Sequence, residues 1–296
     1  MMVDVYIHVL YLWRRKLSWY FESLHSDFQQ SIQRSKVHFK GKTKFQEVEI
    51  FENKTLGRVL IIDGIVQTSE ADESNYHEML VHVPIYSMKK VNEVLIIGGG
   101  DGGALREVLR HDVSEVTLIE IDKEIINICK EFLPSISSEA FDDPRTKIII
   151  DDGLNYVNKI NKQFDLIIVD STDPIGPGKV LFSKEFYSSC AELLRKRGVF
   201  VAQNGVPFLQ FDEYLQTKKN ISPFFIFHGF YFTSVPTYSG GAMALAWGSH
   251  SQDISTIDSN QLIKNIDSKK LSMKYYNKNI HAGSFATPQK YLNELI

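Results

Sequence analysis

The sequence predicts an α/β protein, a doubly wound Rossmann-like parallel sheet preceded by a small antiparallel β domain. Three observations lead there. An apolar run, Val94-Leu95-Ile96-Ile97, enters the glycine cluster Gly98-Gly99-Gly100-Asp101-Gly102-Gly103, and a helix-period pattern (Leu105, Val108, Leu109) leaves it. Short apolar runs then alternate with helical patterns as far as Arg195, which is the signature of strands buried on both faces between helices. Upstream, from Lys36 to Thr68, the period is two instead.

Taken in order, Met1 to Trp13 is largely apolar and is followed by Arg14-Arg15-Lys16. A membrane-spanning helix needs about 20 apolar residues, and this shorter run holds Asp4 and His8. A signal peptide carries its positive charges before the apolar run rather than after it. The segment is expected to be a packed strand or helix, or an extension. Residues 17–34 look irregular to helical. Lys36–Lys40, Phe45–Phe51 and Arg58–Ile62 are strands, parted by turns at Gly41-Lys42-Thr43 and Glu52–Gly57. Asp63-Gly64 turns the chain into Ile65–Thr68, and Asn75–Tyr86 is an amphipathic helix joining the β domain to the main fold.

After the glycine loop come strand Val116–Asp122, helix Lys123–Phe132, strand Lys147–Asp151 and helix Leu154–Ile160. Strand Phe164–Asp170, helix Glu185–Arg195 and strand Gly198–Gln203 follow, and Phe230–Val235 with Ala242–Trp247 close the sheet as an antiparallel pair. The domains are therefore an extension over 1–18, a β-hairpin domain over 19–74 and a Rossmann-like catalytic domain over 75–296.

The 296 residues carry a formal net charge of −3 and are 43% hydrophobic, ordinary values for a soluble globular protein. No basic stripe marks a nucleic-acid partner, and no membrane partner is expected. Cys129 and Cys190, both on helical patterns without metal-ligand neighbours, fit a reducing cytoplasm and no disulfide.

Gly98, Gly100 and Gly103 satisfy the dinucleotide spacing, but Asp101 places a carboxylate where a pyrophosphate would lie. Two anions would compete for the same amides, so the loop suits a nucleoside that carries positive charge. Carboxylates recur at successive strand ends: Asp101, then Glu120 and Asp122, then Asp151-Asp152-Gly153, then Asp170-Ser171-Thr172-Asp173-Pro174. Single acids of this kind are caps and turn residues; four sets on one rim repel one another unless they share a cation. Glu120, about 20 residues after the glycines, suits a ribose, whereas Asp122 suits a helix cap. Asp152 can accept an exocyclic amino hydrogen of adenine, with Gly153 giving the base room. Asp170 and Asp173, held by a proline-rich turn, suit an amine substrate. An aliphatic amine has a pKa of about 10 and must lose a proton before it attacks, so a general base is needed.

These motifs together resemble the polyamine aminopropyltransferases of the bacterial spermidine synthase type, whose sheet is class I methyltransferase-like. The likeness also takes in Gly57–Gln67, the Asp72–Met79 stretch with Tyr76-His77-Glu78-Met79, Val201–Gly205, Pro236–Gly241 and Tyr275 to Pro288. It spans Trp19 to Leu295. The glycine loop alone is shared with many methyltransferases, while Asp170–Pro177 beside the Tyr76–Met79 helix is specific. The resemblance implies transfer of an aminopropyl group from decarboxylated S-adenosylmethionine, a co-substrate, to putrescine, without metal or bound cofactor. It further implies that Gln46, Asp101, Glu120, Asp152, Gly153 and Pro177 hold the nucleoside. Tyr76, His77, Asp101, Ser171, Asp173, Gln203 and Tyr238 would surround the amine, and Asp170 would take its proton. A homodimer or homotetramer is implied as well. The segments Val206-Pro207-Phe208 and Ala242-Met243 depart from the pattern and leave another acceptor, such as cadaverine, open. A methyltransferase on this fold would not need Asp101 or the β domain. Retention of Asp170 beside Asp173 argues against a polyamine-binding protein without activity.

Overall fold

A computed structural model describes residues 18–174 and 176–294, with the side chain of Pro177 outside that description. The apolar N-terminal run and Ile175 fall outside it too. The chain divides into two compact units, one ending at Ala71 and the other beginning at Asp72.

In the N-terminal unit, β1 (Ser18–Phe21) pairs antiparallel with β2 (Ser31–Arg34). Four further strands form a sheet in chain order: β3 (Lys36–Lys42), β4 (Glu47–Asn53), β5 (Gly57–Ile62) and β6 (Ile65–Ser69). The expectation of irregular to helical structure over 17–34 is corrected. Tyr20 and Ile32 pair across β1 and β2 and enter a core with Phe51, Val59, Ile61 and Val66. The polar residues between the strands mask that short period. Glu22 anchors the loop, accepting from the Val66 amide (3.0 Å) and the Gln30 side chain (2.9 Å). Gly41 and Lys42 belong to β3, and the turn lies just beyond. The Thr43 hydroxyl there accepts from the amides of Phe45 and Gln46, both at 3.1 Å. Gln46 therefore closes a hairpin turn rather than lying within a strand.

The second unit is built on a seven-stranded sheet ordered β12-β13-β11-β10-β7-β8-β9. Its strands are β7 (Glu93–Gly98), β8 (Glu115–Glu120), β9 (Thr146–Ile150), β10 (Phe164–Asp170), β11 (Leu194–Gln203), β12 (Phe227–Ser234) and β13 (Ala242–Ser249). Strands β7 to β11 are parallel, and β13 runs antiparallel to both β11 and β12, which makes the expected closing pair. The chain leaves β7 toward β8 on one side and returns to β10 on the other. The junction of β7 and β10 is thus the switch point, beyond whose C-terminal ends ligands bind. Leu95, Ile97, Ile167, Val169 and Phe200, buried on the central strands, form the core with Phe186 and Tyr187.

Helix α1 (Glu73–Ser87) corrects the amphipathic expectation, because almost every side chain from Glu73 to Tyr86 is buried. Several of its polar residues are satisfied from outside the helix. The Glu78 carboxylate accepts from the amides of Lys274, Tyr275 and Tyr276 at 2.7 to 2.9 Å. The C-terminal segment thereby covers the face that the pattern left to solvent. Helix α2 (Gly103–Leu109) follows the glycine loop, and α3 (Lys123–Phe132) agrees with expectation residue for residue.

Candidate active site

The glycine loop is built for closeness. Gly98, Gly99 and Gly102 have φ of 83°, 73° and 80°, the left-handed region that glycine enters without strain. A Cβ on Gly98 would fall 2.2 Å from the Asp170 carbonyl oxygen, and the Gly99 amide donates to that same oxygen at 2.7 Å. The loop after β7 is thus fastened to the end of β10, where Gly98 and Asp170 are direct partners.

Three predicted residues meet there. Ligating atoms of His77, Asp101 and Asp170 all lie within 4.8 Å of one another. Asp101 Oδ1 accepts from the Gly103 amide (2.8 Å), so one of the amides that a phosphate would use is already occupied by the chain's own carboxylate. Its Oδ2 lies 3.4 Å from His77 Nε2, and His77 Nδ1 lies 2.9 Å from Glu73 Oε2. Burial opposes a charge on His77, but the carboxylates of Asp101 and Glu73 outweigh it and raise its pKa well above the usual value. An imidazolium with an N–H on each carboxylate has no lone pair for a metal. Burial likewise opposes charge on Asp101, and His77 more than compensates, holding the carboxyl below its ordinary range.

Asp170 is the contrasting carboxylate. Burial first, then the charge of Asp101, push its pKa up to about 6, against the influence of His77 and of Tyr76. Tyr76 Oη donates to Asp170 Oδ1 (2.7 Å), whereas Oδ2 is buried with no hydrogen-bond partner. The Ser171 hydroxyl beside it is also buried and unpartnered. Tyr238 packs edge-on against Tyr76, 6.2 Å between ring centroids. Polar atoms left without partners are costly unless a ligand completes them.

The remaining strand-end acids divide. Glu120, only 8% exposed, accepts from the Asp122 amide (2.9 Å), yet burial pushes its pKa up to about 7. Asp122 caps α3 through the Glu124 amide (3.0 Å), as expected. Asp152 is also a cap, accepting from the Asn155 amide (2.8 Å) at the start of the helix Gly153–Lys159. Gly153 is required by packing: a Cβ would lie 2.6 Å from Ile97 Cγ2. The room at this glycine is therefore filled by β7.

Gln203 is tied into the fold, donating to the Thr172 carbonyl (3.1 Å) and accepting from the Gly205 amide (2.9 Å). It braces the loop that carries Asp173. Asp173 Oδ1 accepts from Gln210 Nε2 (3.1 Å), which also reaches Glu213 Oε2 (3.0 Å). Burial, and then Asp173, raise the Glu213 pKa to about 7. Gln210 and Glu213, like Glu73 and Arg106 near Asp101, were not anticipated from sequence. Only Glu73, four residues before His77 on one helix, carried a signal there. Gln46 lies in the N-terminal unit, apart from these residues in the chain.

Fold and site together define a Rossmann-like protein with an acidic ligand site at the switch point of its sheet. Residues 73–258 match the spermine/spermidine synthase domain, and residues 18–70 match the spermidine synthase tetramerisation domain. A polyamine aminopropyltransferase of Serratia proteamaculans is 47% identical over 282 residues, covering 95% of this chain and 98% of the relative. One from Yersinia pestis is also 47% identical, over 95% of both chains. Among solved structures, a spermidine synthase in complex with the transition state analogue AdoDATO superposes with a TM-score of 0.90 at 38% identity, over 95% of this chain and 96% of that one. The spermidine synthase of Thermotoga maritima gives 0.88 at 38% identity, over 95% of both. The chain belongs to the polyamine aminopropyltransferase family and is an aminopropyltransferase. No helix among its described residues is long and apolar enough to cross a membrane.

Proposed function

We propose that the enzyme transfers the aminopropyl group of decarboxylated S-adenosylmethionine to putrescine, giving spermidine and methylthioadenosine. The observation that carries this reading is the pairing of two unlike carboxylates, Asp101 and Asp170, at the mouth of the glycine loop. Asp101, held ionised, suits the ammonium at the end of the donor's aminopropyl tail. Asp170, buried with a bare Oδ2 and a pKa of about 6, suits proton transfer near neutrality. Its carboxylate takes a proton from one ammonium of the acceptor. The freed amine then attacks the methylene next to the sulfonium, the C–N bond forms, and the C–S pair leaves with sulfur. The leaving thioether is neutral and needs no general acid, metal or redox cofactor. Holding nucleophile and carbon in line supplies the larger part of the acceleration.

In this reading Glu120 accepts the ribose hydroxyls, and Asp152 the adenine amino group through the oxygen left over from its cap. Gly153 and Pro177 complete the nucleoside site within the second unit. Tyr76, Tyr238, Ser171 and Asp173 line the acceptor path with Gln203 bracing it, while His77 acts on Asp101. The match of residues 18–70 to a tetramerisation domain supports a homo-oligomer. Incubation with putrescine and decarboxylated S-adenosylmethionine should yield methylthioadenosine and spermidine in equal amounts. No methylthioadenosine with putrescine, but turnover with cadaverine, would move the acceptor; none with any diamine would sink the reading.

A further inference from the structure

Behind Asp101 lies a chain of buried charges that the reaction itself does not touch. Glu73, with 3% of its side chain exposed, faces three cationic groups: His77 Nδ1 at 2.9 Å, Arg106 Nη2 at 2.7 Å and Lys274 Nζ at 3.6 Å. Arg106, on α2, forks between Glu73 and Glu107, its Nε meeting Glu107 Oε1 at 2.9 Å, and also donates to the Ile136 carbonyl. Glu107 in turn receives Arg110 and His82, the latter at 2.8 Å. The sequence of charges from the site outward alternates: Asp101, His77, Glu73, Arg106, Glu107. On the other side, the His77 ring fills the space where Gly103 lacks a side chain, since a Cβ there would lie 2.2 Å from its Cε1. The ring thus packs directly on the first residue of α2, two positions from Asp101.

We infer that Glu73 and Arg106 are positioning residues for aminopropyl transfer, locking His77 as the cation that fixes the Asp101 carboxylate beside Asp170. The inference rests on the function proposed above. Its physical basis is the proximity of two buried carboxylates. Left alone, Asp101 and Asp170 would share a proton, as like charges in a sheltered site do. A fixed imidazolium on Asp101 breaks that symmetry, so that Asp101 stays ionised and Asp170 alone titrates. Glu73 keeps the imidazolium charged by accepting from Nδ1, and Arg106 keeps Glu73 ionised and in place. The groups that face His77 are Glu73 and Tyr76 from its own helix and Asp101 from the glycine loop, with Arg106 of α2 behind Glu73. Asp170 from β10 completes them, and Tyr238 and Lys274 stand one step further out through Tyr76 and Glu73.

The first test uses the wild-type enzyme. Nitrogen chemical shifts of histidine-labelled protein at about pH 8, well above the ordinary histidine pKa, should show His77 with both nitrogens protonated. A neutral His77 overturns the inference, whether or not putrescine proves to be the acceptor. The second test is kinetic. Glu73→Gln and Arg106→Gln should lower kcat/KM for the donor by roughly ten- to a hundredfold. Both should also move the acid limb of the pH profile upward by about half a unit or more, because Asp170 then faces Asp101 with less compensation. Arg106→Lys, which keeps the charge but not the fork, should return the limb most of the way while restoring less of kcat/KM. A uniform fall in rate with the limb unmoved in all three, at unchanged thermal midpoint, would make these residues merely structural.

Discussion

Glu120 offers the sharpest separation of stability from binding. Its carboxyl is buried at the end of β8, and burial pushes its pKa from the ordinary 4.5 up to about 7. The sign follows from linkage: the folded enzyme binds a proton here more tightly than the unfolded chain does. The contribution of the group to stability is fully present below about 4.5 and is lost as pH rises through about 7. The gap between 4.5 and about 7, at about 1.4 kcal/mol per pH unit, comes to about 3 kcal/mol at alkaline pH. Glu120→Gln removes the titrating group. Its amide introduces an N–H₂ that needs a partner, a fixed penalty of about 1 to 3 kcal/mol that does not change with pH. The slope is therefore the observable. Urea unfolding of the two proteins at equal concentration, at about pH 5 and about pH 8, should show the variant gaining roughly 2 to 3 kcal/mol on the wild type across that interval. Equal concentration matters because assembly shifts apparent stability. Over the same change, binding of methylthioadenosine should weaken roughly ten- to a hundredfold, the worth of hydrogen bonds to a charged acceptor. A difference in stability that stays constant with pH would refute the argument that Glu120 is a buried, strained carboxylate. Unchanged nucleoside affinity would remove it from the ribose site.

Other expectations follow from the same geometry. Asp170→Asn should cut turnover by roughly a hundred- to ten-thousandfold in a methylthioadenosine assay, while calorimetric binding of methylthioadenosine stays near wild type; an active variant would dismiss Asp170 as the base. Binding of putrescine should release up to one proton at about pH 5.5 and none at about pH 8, since a cation favours the ionised form of a carboxyl whose pKa is about 6. Calorimetry in two buffers of different ionisation enthalpy reads this directly, and proton uptake would contradict it. Glu213→Gln should raise the KM of the amine severalfold while leaving that of the nucleoside alone. The effect should be larger at about pH 8 than at about pH 6, because Glu213 ionises near 7; an equal effect on both substrates would place Glu213 outside the acceptor path.

What the sequence reveals follows physical range. Strand Phe164–Asp170 and helix Lys123–Phe132 are legible to the residue, because a strand buried on both faces and a capped helix write their period into neighbouring positions. The β1–β2 pair is not, since only Tyr20 and Ile32 of its few residues enter the core. The burial of α1 is hidden for the opposite reason. Glu78 and His82, four residues apart, read as an exposed polar face until Glu107 and the amides of the C-terminal segment, far along the chain, arrive to satisfy them. In the site, Asp101 and Asp170 are legible because motif and strand end place them together. The Gln210 bridge between Asp173 and Glu213 is not, since a fold in the loop after β11 creates it. Asp122 and Asp152 show a different limit. Both serve as helix caps, and for Asp152 the cap uses one oxygen, so cap and ligand readings do not compete.

The two carboxylates at the loop also explain why a base of this strength suits the chemistry. An amine of pKa about 10 gives its proton to an ordinary aspartate, at about 3.9, across a gap of roughly six units, or about 8 kcal/mol. Raising Asp170 to about 6 narrows the gap by about 3 kcal/mol, yet leaves the group ionised at neutral pH and able to accept. Burial does most of this, and the neighbouring charge of Asp101 adds to it. Asp101 can remain an anion in so sheltered a place because His77 stands against it. The residue that makes the glycine loop unfit for a pyrophosphate is thus one that helps lift its neighbour into the range of a general base. A neutral residue at position 101 would lose both effects, admitting phosphate to the Gly103 amide and letting Asp170 fall back toward an ordinary carboxylate.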